Sequence, residues 1–220
     1  MKLFPMNHAV VREIRNTHDL LKNQKLIGSG QFSGVFTSSN EDTVLKLSID
    51  RASYVFNTHL RTAESNKHLP RVVFNHGQIG TFKTNENARK TKLSNPKIIE
   101  VPIYLYEVEK LYAVDGENIK IARSLCQKWR KKELSLYQKH DDETLFMRHL
   151  KILNAIEQEK LIEPSAFNAL AEAIYFTDEF KDSFIDLHSK NVMQRKDKTL
   201  VFSDLIGDTN LYNNHFCAGR

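Results

Sequence analysis

Three polar residues near the end of the chain have the types and spacing that suit phosphate chemistry. Asp186 and Asn191 stand five positions apart in Phe184-Ile185-Asp186-Leu187-His188-Ser189-Lys190-Asn191, and Asp204 follows Asn191 by 13 in Val201-Phe202-Ser203-Asp204. An Asp in a tight loop, an Asn after it and a second Asp at the end of the next strand make a compact, oxygen-rich site. Such a site can accept a hydroxyl proton and hold Mg²⁺ against a triphosphate, because Mg²⁺ takes hard oxygen ligands and keeps several waters. Phosphoryl transfer asks the protein for positioning and charge neutralisation and for little covalent chemistry. The plainer reading of the same residues is an Asx-rich turn ahead of a strand, in which Asp, Ser and Asn cap their own backbone.

A second set of residues lies far upstream. Lys25-Leu26-Ile27-Gly28-Ser29-Gly30-Gln31-Phe32-Ser33-Gly34-Val35-Phe36-Thr37 runs from apolar residues into a glycine cluster and out again, which reads as strand, tight turn, strand. Asn40-Glu41-Asp42 makes another turn, and Thr43-Val44-Leu45-Lys46-Leu47-Ser48-Ile49 reads as a third strand with a lysine inside an otherwise apolar run. A lysine there can be the solvent-facing position of an edge strand. It can also be a phosphate anchor: glycines let backbone N–H groups approach phosphate oxygens closely, and a strand lysine beyond them reaches those oxygens as a point charge.

The remaining elements must position these two sets. Val10, Val11, Ile14, Leu20 and Leu21 fall at helical spacing within Asn7 to Asn23, so the spacing predicts a leading amphipathic helix. Arg51–Thr62 reads as a short helix burying Tyr54, Val55, Phe56 and Leu60, and Arg71–Ile79 as a fourth strand. Thr81–Pro96 is polar and aperiodic and reads as a mobile loop. Lys97–Val108 reads as a fifth strand, in which Pro102 marks a break or an edge position. From Asn118 the period becomes helical, with helices expected at 118–139, 142–159 and 164–182, the second capped by Asp141-Asp142 and the third opened by Pro164. The fold class is therefore α+β, with a β-rich part over 1–110 and a helical part over 111–220.

Composition narrows the function classes. The chain's 220 residues are enough to bury a real core as one domain or two small lobes. No apolar run approaches the length of a membrane span, and the segment Met1 to Met6 is too short for a signal peptide. Cys126 and Cys217 lie far apart and outside metal-binding spacing, which favours a reducing cytoplasm. The net charge of +5 gathers in segments 81–97 and 128–132. These segments are either solvated surface or the contact face for an anionic partner.

Taken together, these residues resemble the protein-kinase-like fold, a bilobal architecture with a β-rich N-lobe and, here, a reduced helical C-lobe. The resemblance implies that Gly28, Ser29, Gly30, Gln31, Phe32, Ser33 and Val35 form the nucleotide-binding loop and that Lys46 anchors the phosphates. It implies that Glu107-Val108-Glu109 is the hinge that meets adenine through its backbone, that Asp186 is the catalytic base, and that Asn191 and Asp204 hold Mg²⁺. More narrowly, G-x-G-x-F-S together with D-x-H-S-x-N-V-M resembles the early serine/threonine kinases of T-seven-type lytic bacteriophages. That resemblance implies ATP and Mg²⁺, phosphorylation of host protein substrates, and the host cytoplasm as location.

The chain departs from the pattern in several places. Ser33 stands where a third glycine is usual, and Phe184-Ile185 where many protein kinases carry His-Arg, which argues against activation through a phosphorylated loop. His188 replaces the usual lysine, as in aminoglycoside-type kinases, and Lys190 is the residue expected to supply the positive charge near the γ-phosphate. Glycine comes one position late after Asp204, at Gly207, and Glu64 is the nearest candidate for the helix glutamate that pairs with Lys46. Two alternatives to a protein kinase follow. One is a small-molecule kinase; the other is a catalytically silent kinase-like module that grips a host protein.

Overall fold

The computed structural model describes residues 8–58, 66–85, 98–137 and 143–216. The chain divides into two compact units, one of Met1–His59, Arg71–Lys110 and Asp208–Arg220, the other of Leu60–Pro70 and Leu111–Gly207. The architecture is α+β, with a mostly antiparallel sheet in the N-terminal part and helices in the C-terminal part.

The first unit is built on a five-stranded antiparallel sheet of β1 (Leu26–Ser29), β2 (Ser33–Thr37), β3 (Thr43–Ser48), β4 (Val72–Asn85) and β5 (Ile98–Glu109), in the order β1-β2-β3-β5-β4. Two-residue alternation sorts the side chains onto opposite faces. Phe36, Leu45, Leu47, Ile103 and Leu105 share one face with Val11 of α1 (Ala9–Thr17), and Val10 and Ile14 pack against the same cluster. Val44, Tyr104, Tyr106 and Val108 share the other face with Tyr54 of α2 (Arg51–Thr58), whose ring stacks on Tyr104 at 3.9 Å between centroids. Because a helix covers each face, all six residues of β3 are buried, polar Thr43, Lys46 and Ser48 among them.

Two boundaries differ from those the sequence predicts. The leading helix ends at Thr17, where Thr17 Oγ1 folds back on the Glu13 carbonyl and His18 takes extended backbone; Leu21 still reaches the core from a following turn. The polar stretch after Ile79 is not all loop, since Thr81–Asn85 continues β4 in register with Ile98–Pro102. Over residues 81–83 the side chains alternate like any strand's, with Phe82 buried and Lys83 paired to Glu100 at 3.2 Å. Pro102 fits there because β3 stops opposite Tyr104, so that end of β5 has a strand on one side only among the described residues. The register of β4 on β5 slips three times, between Val72 and Phe74, Asn75 and Gly77, and Gln78 and Gly80.

The second unit contains α3 (Gly116–Tyr137), α4 (Leu145–Gln158) and α5 (Pro164–Glu179), with α4 packed on both of the others. Ala122, Leu125 and Trp129, then Ile152, Leu153 and Ile156, then Ala169, Leu170 and Ala173 form their buried stripes at three- and four-residue spacing. Pro164 opens α5 as the sequence predicts. The cap predicted at Asp141-Asp142 lies outside the described residues; Thr144 caps α4, its hydroxyl accepting from the Met147 amide at 3.3 Å. Segment 66–70 belongs to this unit: the His68 ring sits 2.7 Å from the Leu200 carbonyl through Nδ1, and the Phe202 amide donates to the His68 carbonyl at 2.8 Å.

Five short strands complete the unit: β6 (Tyr112–Ala113), β7 (Ser183–Ile185), β8 (Val192–Gln194), β9 (Leu200–Phe202) and β10 (Ile206–Asp208). They form the sheets β6-β8-β9 and β10-β7, and α6 (Thr209–Phe216) follows β10. Gly207 is required by close packing, since a Cβ there would come within 2.5 Å of the Phe184 ring. The glycine one position late in the sequence is thus the residue that lets β10 lie against β7. Gly207→Ala is expected to lower stability by about 1–3 kcal/mol, seen as a lower urea midpoint. Pairing it with Phe184→Leu should recover part of the loss; a lone Gly207→Ala with an unchanged midpoint refutes the packing argument.

Candidate functional site

In the second unit, β7 delivers Asp186 into a turn, and a 3-10 turn at Ser189–Asn191 leads into β8. The turn is set by its own backbone: the Asn191 amide donates to the His188 carbonyl at 2.9 Å and the Lys190 amide to His188 Nδ1 at 3.2 Å. The Asp186 amide donates to the Leu205 carbonyl at 2.7 Å, which brings the Asp204 turn alongside.

Asn191 joins the two turns. Its Nδ2 donates to the Asp204 carbonyl at 2.6 Å and the Asp186 carbonyl at 2.8 Å, with Asp186 Oδ2 further off at 3.2 Å. Two amide hydrogens suit the two nearer carbonyls, and three oxygen partners on one side fix which amide atom is nitrogen. The Asn191 carbonyl accepts from Ser203 through both its amide, at 2.7 Å, and its hydroxyl, at 3.1 Å. Sequence reasoning overlooked Ser203, whose only signal was its place just before Asp204. Asn191 Oδ1 accepts no hydrogen bond among the described residues. The turns therefore present hard oxygens, Asn191 Oδ1 and the Asp204 carboxylate, a donor set that suits Mg²⁺. Among the described residues no group of three or more His, Cys, Asp or Glu could hold a metal by itself, so phosphate oxygens and waters would have to complete the shell.

The Asp186 carboxylate is 43% exposed and thus reachable by a hydroxyl, with His188 Nε2 at 3.6 Å. That is an ion-pair distance and long for a hydrogen bond. With Nδ1 accepting the Lys190 amide, the neutral ring carries its proton on Nε2, toward Asp186. The Asp186 carboxylate facing the ring chiefly raises the His188 pKa from 6.5; burial lowers it, the Asp204 charge raises it and Lys190 lowers it. Lys190 is exposed on the same turn.

The first unit carries the other set. The hairpin of β1 and β2 pairs Gly28 with Val35, and the Gly30 amide donates to the Ser33 carbonyl at 2.9 Å to close its tip. Gly30 therefore spends its N–H inside the turn, whereas the Gln31 amide at the tip donates no hydrogen bond among the described residues. Ser29 ends β1, and buried Ser33 opens β2. The Phe32 carbonyl accepts the Ile49 amide at 2.9 Å, and the Phe32 ring packs against the core on the α1 side.

Lys46 pairs with Val35 on one side and Tyr106 on the other, and its Nζ lies 5.8 Å from the Tyr106 ring centre. It is 7% exposed on a strand with neighbours on both sides, which excludes the edge-strand reading.

Glu107 and Glu109, expected at a hinge, stand at the end of the fifth strand. Both lie within β5, where Glu107 pairs with Leu45 and Phe74 and Glu109 with Thr43. The Glu109 amide donates to the Arg71 carbonyl, and Glu109 Oε1 accepts the Arg71 amide. The Glu107 carboxylate accepts from the Ser38 hydroxyl at 2.6 Å and from the Thr43 hydroxyl. Burial raises the Glu107 pKa, but these two hydroxyls and the nearby His76 outweigh it, and the net shift is downward. The Glu64 expectation falls outside the described residues, and α2 carries no acidic residue.

The basic segments divide in the same way. Residues 86–97 lie outside the described residues. In segment 128–132, on α3, Trp129 is core, and Lys128 and Lys132 both pair with Glu159, which leaves Arg130 and Lys131 on the exposed face. No helix among the described residues is long and apolar enough to cross a membrane. Comparison with protein-family models, with curated proteins and with solved structures returns no match.

The His188 environment has a pH signature. With its pKa raised in the folded chain, His188 contributes stability that is present below about 6.5 and is lost as pH rises through the raised value. An NMR titration should show the His188 ring titrating above its ordinary range. Asp186→Asn should move it down and flatten that alkaline loss; an unmoved His188 pKa in this variant contradicts the coupling.

Proposed function

We propose that the chain is an ATP-dependent phosphotransferase that passes the γ-phosphoryl group to a hydroxyl of a protein serine or threonine, in the manner of a compact phage-type kinase. The observation that carries this reading is the Asn191 clamp. One amide fixes the main chain of both aspartate turns and leaves its own oxygen and an accessible Asp186 carboxylate for a ligand. A turn that only capped itself would not need to tie two separate loops together.

In this reading Asp186 orients the acceptor hydroxyl and takes its proton as the oxygen attacks the γ-phosphorus. The bond from that phosphorus to the bridging oxygen breaks, and ADP leaves. Lys190 and His188 lie on the same turn and add positive charge near the transferred group. Mg²⁺, held by Asn191 and Asp204, would neutralise triphosphate charge when bound. The first unit supplies Lys46 as the phosphate anchor and the Gly28–Ser33 hairpin, with Gln31 at its tip, as the phosphate cover. Support for this half comes from the burial of Lys46 and its row with Val35 and Tyr106 on one sheet face.

A small-molecule acceptor is the second reading, favoured by His188 beside Asp186 in place of the usual lysine. Incubation with labelled ATP and Mg²⁺ against bacterial lysate, and separately against aminoglycosides and sugars, separates the two. Label on protein is expected. Asp186→Asn should retain Mg²⁺–nucleotide binding and lose roughly 10²–10⁴-fold in transfer rate. Transfer at the wild-type rate by that variant removes Asp186 from its role, and absence of any Mg²⁺-dependent nucleotide binding favours a silent binding module.

A further inference from the structure

Apart from histidines, the formally charged side chains that are buried among the described residues are Lys46, Asp50 and Asp208, at 7%, 6% and 7% exposed. All three belong to the first unit, although Asp208 is 158 positions from Asp50 in the chain. A buried charge is tolerated when it is paired and hydrogen-bonded and is strongly disfavoured otherwise. One ammonium and two carboxylates are what this unit buries.

Lys46 lies within β3, Asp50 follows just past its end, and Asp208 is hydrogen-bonded to Asp50. Lys46 lies opposite Tyr106, and Ser48, two residues on along the same face, lies opposite Tyr104. Asp50 follows directly after the strand. Its Oδ1 accepts the Ser53 amide at 2.7 Å, which caps α2, and its Oδ2 accepts the Asp208 amide at 3.1 Å. Asp208 Oδ1 then accepts the Leu211 amide at 3.0 Å, which caps α6. The field at Tyr104 ties this cluster to the lysine's face: burial first raises the Tyr104 pKa above 10.0, Arg51 lowers it, and Tyr54 and Asp208 raise it further. The acid-free α2 offers no glutamate for Lys46.

We infer that Asp50 and Asp208 are the counter-charges of Lys46, positioning residues that hold its ammonium where phosphate oxygens can meet it. The phosphate half of this statement rests on the phosphotransferase reading; the pairing itself does not. Asp208 comes four residues after Asp204, so one short run of chain carries both the expected metal carboxylate and the lysine's counter-charge. Among the described residues, it is a strand end and the chain's return to this unit, not a helix glutamate, that offer Lys46 its carboxylates.

Double-mutant cycles on the full chain test the pairing. Lys46→Met, Asp208→Asn, Asp50→Asn and the two Lys46-containing pairs are compared by urea unfolding; Asn keeps the acceptor oxygen needed for both caps. Removing both charges of a pair should cost less than the sum of the single changes, by roughly tenfold in the unfolding equilibrium constant. If a single variant fails to fold while its charge-neutral pair folds, the coupling is likewise established. Additive behaviour for both aspartates overturns the pairing.

The positioning role is read by calorimetry with Mg²⁺ and a non-hydrolysable ATP analogue. Asp208→Asn should weaken binding by roughly tenfold in wild-type Lys46 and by nothing further in Lys46→Met. Unchanged affinity in both folded aspartate variants overturns positioning. A wild-type chain that binds no nucleotide refutes the phosphotransferase reading, while the unfolding cycles still decide the pairing.

Discussion

A single carboxamide holds two turns of the second unit together. Asn191 Nδ2 reaches the carbonyls of Asp186 and Asp204, from two turns separated by the β8–β9 hairpin. Both of these bonds are to main-chain oxygens, so they fix the backbone of each turn. Ser203 repeats the device in the other direction by donating twice to the Asn191 carbonyl. A carboxylate at this position would set negative oxygen against two carbonyls, and a shorter side chain would span neither. The constraint is geometric before it is chemical.

The first unit obeys a different constraint, set by dielectric. Its sheet is covered on both faces, which makes the interior of β3 hostile to charge, and Lys46 stands there nonetheless. Its neighbours on the adjoining strands are Val35 and Tyr106, and its Nζ lies 5.8 Å from the Tyr106 ring centre. The same low dielectric strengthens its attraction for whatever anion it meets. Glu107 shows the other way of keeping a charge in a sheet: it stays half-buried at the hairpin mouth, and two hydroxyls donate to it.

Much of this was legible in the sequence, and the failures have physical reasons. Alternation in β2, β3 and β5 and the three- and four-residue stripes of α3, α4 and α5 come directly from burial, and burial is what periodicity reports. The spacing of Asp186, Asn191 and Asp204 was legible because the two turns and one hairpin between them are short. Residues 81–85 were not legible as strand, since a ribbon with one exposed face and a lysine–glutamate pair looks like polar loop. That β5 runs on through Glu109 was not legible, because a strand end and a hinge share the same composition; pairing with β3 shows the strand. Asp50 and Asp208 left no local trace, because their meaning lies in a contact across most of the chain.

That long-range contact bears on how the polypeptide is made. Leu211 packs into the same core cluster as Val11, and the Asp208 amide is received by Asp50. During vectorial synthesis the sheet of the first unit emerges early, but its final core residue leaves the ribosome only after the whole second unit has been translated. At typical synthesis rates of about 5–20 residues per second, the nascent sheet waits several seconds without that closing piece. The second unit, whose segments from Leu111 to Gly207 are continuous apart from the strap before Pro70, has every residue it needs before the first does. The order of completion is thus the reverse of the order of translation.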